Sequence, residues 1–160
     1  MPKLRRASTK DLKTGTFRPH GSMELHVSDQ MNVIEARGPF NRELVIAGDT
    51  AQERVDSALQ NEKRWGTVLV FKESALAPPD ALDEISRILK KRIARGIRPV
   101  GVAFVFGNDV EGARLMQPLY LKAYASAGIL GKAFDNLKDA QDWLRSVIAD
   151  QGSANHALAD

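Results

Sequence analysis

Alternation opens the regular part of the chain: Met23, Leu25 and Val27 fall on one side of MELHV, the period of two that a half-buried strand requires. Asp29 to Asn32 supply turn chemistry, and VIEAR, residues 33–37, follows. The pair predicts an antiparallel hairpin, ended by Gly38-Pro39. The period then changes: Leu44, Ala47, Ala51, Val55, Ala58 and Leu59 recur every three or four residues, which predicts a helix. Asn41 is placed to cap its start. Gly48 weakens its middle, so a late start or a bend is expected.

TVLVF, residues 67–71, is a continuous apolar run, suited to a strand covered on both faces. The next helix carries Leu82, Ile85, Leu89 and Ile93 along one stripe, with Arg87, Lys90, Lys91 and Arg95 on its far side and Gly96 as its stop. PVGVAFVF, 99–106, is the most apolar stretch and is expected to be the central strand. Gly107-Asn108-Asp109 opens a helical segment reaching about Ala127, which Pro118 should kink or divide in two. KAF, 132–134, fits a short edge strand, and Leu137, Ala140, Leu144, Val147 and Ile148 mark a last amphipathic helix. Strands alternating with helices imply right-handed βαβ crossovers. The expectation is an α/β fold: a small mixed sheet, with an antiparallel N-terminal hairpin and parallel βαβ strands, flanked by helices. One domain spans 23–149, between a basic flexible tail, 1–22, and a polar tail, 150–160.

Composition narrows the chemistry. The chain has 160 residues, 43% of them hydrophobic, enough for a packed core. It has no cysteine, which removes disulfides, thiolate metal sites and cysteine nucleophiles. No apolar run approaches the roughly 20 residues of a membrane helix, and the N-terminus lacks the apolar stretch of a secretory signal. The expectation is a soluble, cytoplasmic protein. The pI near 9.3 hints at nucleic acid, but the charge is local. Residues 1–22 hold Lys3, Arg5, Arg6, Lys10, Lys13 and Arg18 against Asp11 alone, a net of +5 within a whole-chain +3. The remainder is therefore slightly acidic, and no specific nucleic-acid binding is expected. LRRAST places two arginines ahead of Ser8, a pattern basophilic kinases favour, but the expectation is an unstructured basic segment.

Catalytic signatures are missing. His26 stands alone on the polar side of a strand, and His20 and His156 lie in the tails. The His, Asp and Glu spacings match no metal site. There is no P-loop, no G-x-S-x-G and no complete G-x-G-x-x-G. Neither a metal nor a cofactor is expected, and the chain reads as non-catalytic.

The order of elements, with GPFN after the second predicted strand, VLVFKESALAPPDALDEI, RGIRPVGVAFVFG and FDNLKDAQDWL, resembles the STAS-like superfamily, and within it the bacterial SpoIIAA-like branch, over residues 23–149. The resemblance implies a regulatory or binding module that docks a protein partner. Anti-sigma-factor antagonists of that superfamily carry a switch serine at the start of the helix after the third strand. Asp80 of Pro78-Pro79-Asp80-Ala81 falls there, so the resemblance comes without the serine phospho-switch.

Three surfaces are candidates. Pro78, Pro79, Asp80 and Asp83 form an acidic helix start, readable as an ordinary cap or as a partner-docking turn. Asn108 and Asp109 form a second turn on the same sheet edge, and a ligand cleft between the two turns is conceivable. Leu115, Met116, Leu119, Tyr120 and Tyr124 recur around Pro118 and read as core, as a docking patch, or as a pocket for a small apolar or lipid-like ligand.

Overall fold

A computed structural model describes residues 3–12 and 17–159, with side chains described as far as Asp150. Lys13 of the basic segment, the His156 side chain and Asp160 lie outside the described residues. In chain order the elements are β1 (Arg6–Ser8), a 3₁₀ turn (Thr9–Asp11), β2 (Ser22–Ser28), β3 (Met31–Arg37), α1 (Arg42–Gln60), β4 (Gly66–Lys72), α2 (Pro79–Ala94), β5 (Val102–Phe106), α3 (Ala113–Ser126), β6 (Gly131–Phe134) and α4 (Leu137–Ala159).

The six strands lie side by side in sequence order. β1, β2 and β3 pair antiparallel, and β3 through β6 run parallel. Each crossover thus advances one strand in the same direction, and crossovers of one hand place their helices on one face. Side-chain packing agrees. Ala36, Leu69 and Phe104 meet Leu44 of α1 and Tyr120 of α3 on one side, whereas Val33, Val68 and Val105 meet Ala140, Leu144 and Ile148 of α4 on the other. β4 is buried from Gly66 to Phe71, as an apolar run between two helical layers must be.

Local chemistry explains the boundaries. Asn41 caps α1 by accepting from the Leu44 N–H at 3.0 Å. The same side chain accepts from the His20 N–H at 2.8 Å and donates to the Arg18 carbonyl at 2.9 Å, fixing the chain that leads into β2. Gly48 neither delays nor divides α1. A Cβ there would stand 2.6 Å from the Met23 sulfur, so the glycine serves the close approach of α1 to β2.

Several expectations need correction. Residues 1–22 are not simply a tail: Arg6–Ser8 pair with Glu24–His26, and Thr9 is buried with its Oγ1 accepting from the Met23 N–H at 2.9 Å. Three residues are too few to show a period. Ser8 itself accepts from the Lys10 N–H in this turn. β3 begins at Met31, so Asn32 belongs to a strand rather than a turn. β5 is interior but not central, since it lies between β4 and the edge strand β6. Cover by helices on both faces makes it apolar, not central position. α3 is a single helix through Pro118, and α4 continues to Ala159 instead of ending before a polar tail. No helix among the described residues is long and apolar enough to cross a membrane.

Thr9→Val keeps the shape of the side chain and leaves the Met23 N–H without its acceptor. Urea denaturation is expected to show a loss of about 1–2 kcal/mol. A loss below about 0.5 kcal/mol would mean the N-terminal segment does not help to hold the sheet.

Candidate functional site

The two turns singled out in the sequence do meet at the carboxyl edge of the sheet, where backbone bonds join them. Ser74 and Glu111 form an isolated parallel bridge. The Ala75 N–H donates to the Glu111 carbonyl at 2.8 Å, the Glu111 N–H donates to the Glu73 carbonyl at 2.9 Å, and the Ser74 hydroxyl donates to the Glu111 carboxylate at 2.9 Å. These bonds extend the β4–β5 pairing and tie the two turns together at residues 73–75 and 111. Pro78, Pro79, Asp80 and Asp83 are exposed on this edge, as are Asn108 and Asp109. α2 has Pro78 at its N-cap, Pro79 in its first turn and no side-chain cap hydrogen bond. Asp80 is therefore not the cap. It complements the positive helix end from the first turn.

The five residues around Pro118 are divided. Met116 and Tyr120 are buried, Tyr124 is partly buried, and Leu115 and Leu119 point outward at 64% and 38% exposure. Of the five, only Tyr120 and Tyr124 line a mainly apolar space of the protein. That space lies beneath α2. The helix lies closest to α1 and α3, its Leu82, Ile85, Leu89 and Ile93 pack on the cluster that includes Leu69, Phe71 and Phe104, and a space of about 140 Å³ remains beneath it. Ile85, Leu89 and Ile93, the stripe that patterning assigns to the core, line this chamber and are only partly buried. Phe71, Tyr120 and Tyr124 supply aromatic wall, and Trp65 and Ile97 lie toward the amino ends of the strands. The Tyr120 hydroxyl donates to the Ala75 carbonyl at 2.7 Å. Burial raises the pKa of both phenols, that of Tyr124 to about 12, so both remain neutral near pH 7.

One polar chain enters the chamber. Arg92 of α2, 8% exposed, pairs with Asp49 at 3.3 Å and with Asp56, both on α1. Lys91 reaches Asp49 at 2.9 Å. Gln52 donates from Nε2 to Asp56 at 3.4 Å, and Asn32 on β3 donates from Nδ2 to Gln52 Oε1 at 2.8 Å and to Thr67 Oγ1 at 3.4 Å. Asn32 is 2% exposed, and its Oδ1 has no hydrogen-bond partner. Asn32, Thr67, Gln52, Asp49 and Arg92 all line the chamber. Sequence reading passed over them. Extending the alternation Asn32, Ile34, Ala36 one step back would have placed Asn32 on the inner face of β3. The Arg92 pairing crosses two helices and leaves no local signature.

A second ionic cluster holds the other end of α2. Glu84, 4% exposed, bonds Arg87 on its own helix and faces Arg42 of α1 at 3.6 Å. The Arg87 hydrogen bond, joined by the field of Arg87 and Arg42, holds the Glu84 carboxyl below its ordinary value of 4.5 despite burial. On the opposite face of the sheet a groove of mixed lining, about 690 Å³, includes Glu24, His26, Glu35 and Asp109 among its walls. No three His, Asp or Glu among the described residues converge as metal ligands.

Fold and cavity define the protein as a small α/β domain with a chamber between its helical layer and its sheet. Comparison with family models, curated proteins and solved structures found no significant match to the chain.

Glu84 supplies a pH test. Its folded pKa lies below the unfolded value, so its stabilising contribution is complete above about pH 4.5 and is lost as pH falls through the folded value. Glu84→Gln is expected to be less stable than wild type at pH 7, with the gap narrowing below pH 4.5. A gap independent of pH in chemical denaturation would show that the carboxylate's charge is not what holds this end of α2.

Proposed function

We propose that the protein is a non-catalytic binding module that takes up a small, mainly apolar molecule in the chamber beneath α2. The observation that carries this reading is a mainly apolar space of about 140 Å³ beneath α2, bordered by Ile85, Leu89 and Ile93 of its apolar stripe and by Leu69, Phe71 and Tyr120. Concave apolar walls with a few convergent polar groups are the usual form of a small-molecule site. Dry cavities of about 150 Å³ lined by aliphatic and aromatic side chains accept benzene-sized guests in other proteins. The apolar-ligand expectation from α3 is kept in substance and moved in place, from Leu115–Tyr124 to the inner side of that helix and the underside of α2.

Toluene and phenol are suitable probes. At ten times its dissociation constant a guest stabilises by roughly 1.4 kcal/mol, which moves the melting temperature by about 3–5 °C. Leu89→Trp, which sets an indole inside the chamber, is expected to abolish that shift. The reading fails if neither probe moves the wild-type melting temperature, or if the Trp variant shifts as the wild type does.

The docking reading retains one supporting observation: Pro78, Pro79, Asp80 and Asp83 are exposed on a turn made rigid by the Ser74–Glu111 bridge. In this second reading the turn is a STAS-like partner surface with a fixed negative charge in place of the switch serine. Native co-purification of wild type beside Asp80→Arg decides it. A partner protein lost from the variant supports docking at this edge, and one retained by both removes the turn from consideration.

A further inference from the structure

The geometry points to self-association: the outer face of α2 and α3 pairs, antiparallel and about a twofold axis, with the same face of a second copy of this chain. The inference does not depend on the chamber. Away from the sheet, α2 exposes one stripe of Asp80, Asp83, Arg87 and Lys90, spaced three, four and three residues apart. The acids come first and the cations last. Asp80, Asp83 and Lys90 join no ion pair or side-chain hydrogen bond among the described residues. Arg87 bonds Glu84 through Nε and Nη2, and its side chain stays largely exposed.

This stripe complements itself in one direction only. Two copies of α2 laid parallel in register set acid on acid and cation on cation, which repel. Laid antiparallel, the register that sets Asp80 against Lys90 of the second copy also sets Asp83 against Arg87 of the second copy. Twofold symmetry then makes each pair twice. α3 lies beside α2 and starts from the same edge of the sheet. Its exposed stripe is Leu115, Pro118, Leu119 and Lys122. An axis lying in the face and crossing both helices lays α3 antiparallel on its counterpart. One register sets Leu115 against the aliphatic stem of Lys122, and Pro118 against Leu119. The face thus joins a charged half on α2 to an apolar half on α3. With 16 and 14 residues, the two helices offer roughly 400–500 Å² per copy. That is the size of a weak, reversible contact.

Sedimentation equilibrium of the full chain over about 10 μM to 1 mM suits a contact of this size. The wild type is expected to pass from monomer to dimer across that range, and less so in high salt. Asp80→Lys and Lys90→Asp each set like charges opposite one another twice. Each should weaken the dimer about tenfold. Both positions are exposed, and circular dichroism checks that each variant is folded. An equimolar mixture of the two variants, and the doubly exchanged chain Asp80→Lys/Lys90→Asp, should recover the wild-type constant. A wild type that stays monomeric throughout overturns the inference. So do single variants that associate as the wild type does, or an exchanged chain no tighter than either single variant.

Discussion

The Arg92 guanidinium, held between Asp49 and Asp56, determines how the helical layer sits on the sheet. Charges taken out of water need partners, and removing one member of such a cluster typically costs about 3–5 kcal/mol because its partners are left uncompensated. α2 is therefore tied sideways to α1 near its C-terminal end through Arg92 and Lys91, and near its start through Glu84 and Arg42. Apolar contact between Val45, Ala81 and Ile88 fills the space between these pins. With both ends fixed to a neighbouring helix, α2 need not fill all the space beneath it to be stable. Its apolar stripe packs on the core cluster and still borders an unfilled space. Position and chamber both trace back to the same ion pairs.

Much of the frame was legible in the chain because it rests on local periodicity. The alternation of Met23, Leu25 and Val27, the run at 67–71 and the helical spacing from Leu44 to Leu59 each report burial within one element. The cap at Asn41 was readable because a helix start has its own chemistry. The stripe Leu82, Ile85, Leu89, Ile93 shows both the strength and the limit of that logic. Its direction, inward, was right. Patterning reports that a face avoids water but not how completely it is packed, so a stripe that borders a chamber reads the same as a stripe in a filled core. β1 lay below the threshold of any pattern, and it owes its place to pairing with β2 and to Thr9.

The chemistry was harder to read because it is assembled across elements. Asn32 sits among turn residues in the sequence, and only the register with Thr67 on β4 shows it to be part of the inner sheet face. Gln52 and Asp56 look like solvent-facing polar positions of an amphipathic helix, yet both are buried, at 9% and 7% exposure. The acidic start of α2 was conspicuous by contrast, and its residues lie at the surface. Conspicuous residues and buried polar residues thus point to different parts of the molecule, the first to its rim and the second to its interior.

The sheet's outer strands carry a consequence for the protein's behaviour in crowded solution. A long, flat edge is a template on which another chain can add a strand. Here the two ends of the sheet are β1, of three residues, and β6, of four. On β6 the ammonium of Lys132 lies 5.5 Å from the Phe134 ring centre, placing a charge beside the one large apolar side chain of that strand. Both borders are too short to recruit a neighbour through backbone pairing, so the sheet stops growing where the chain ends it.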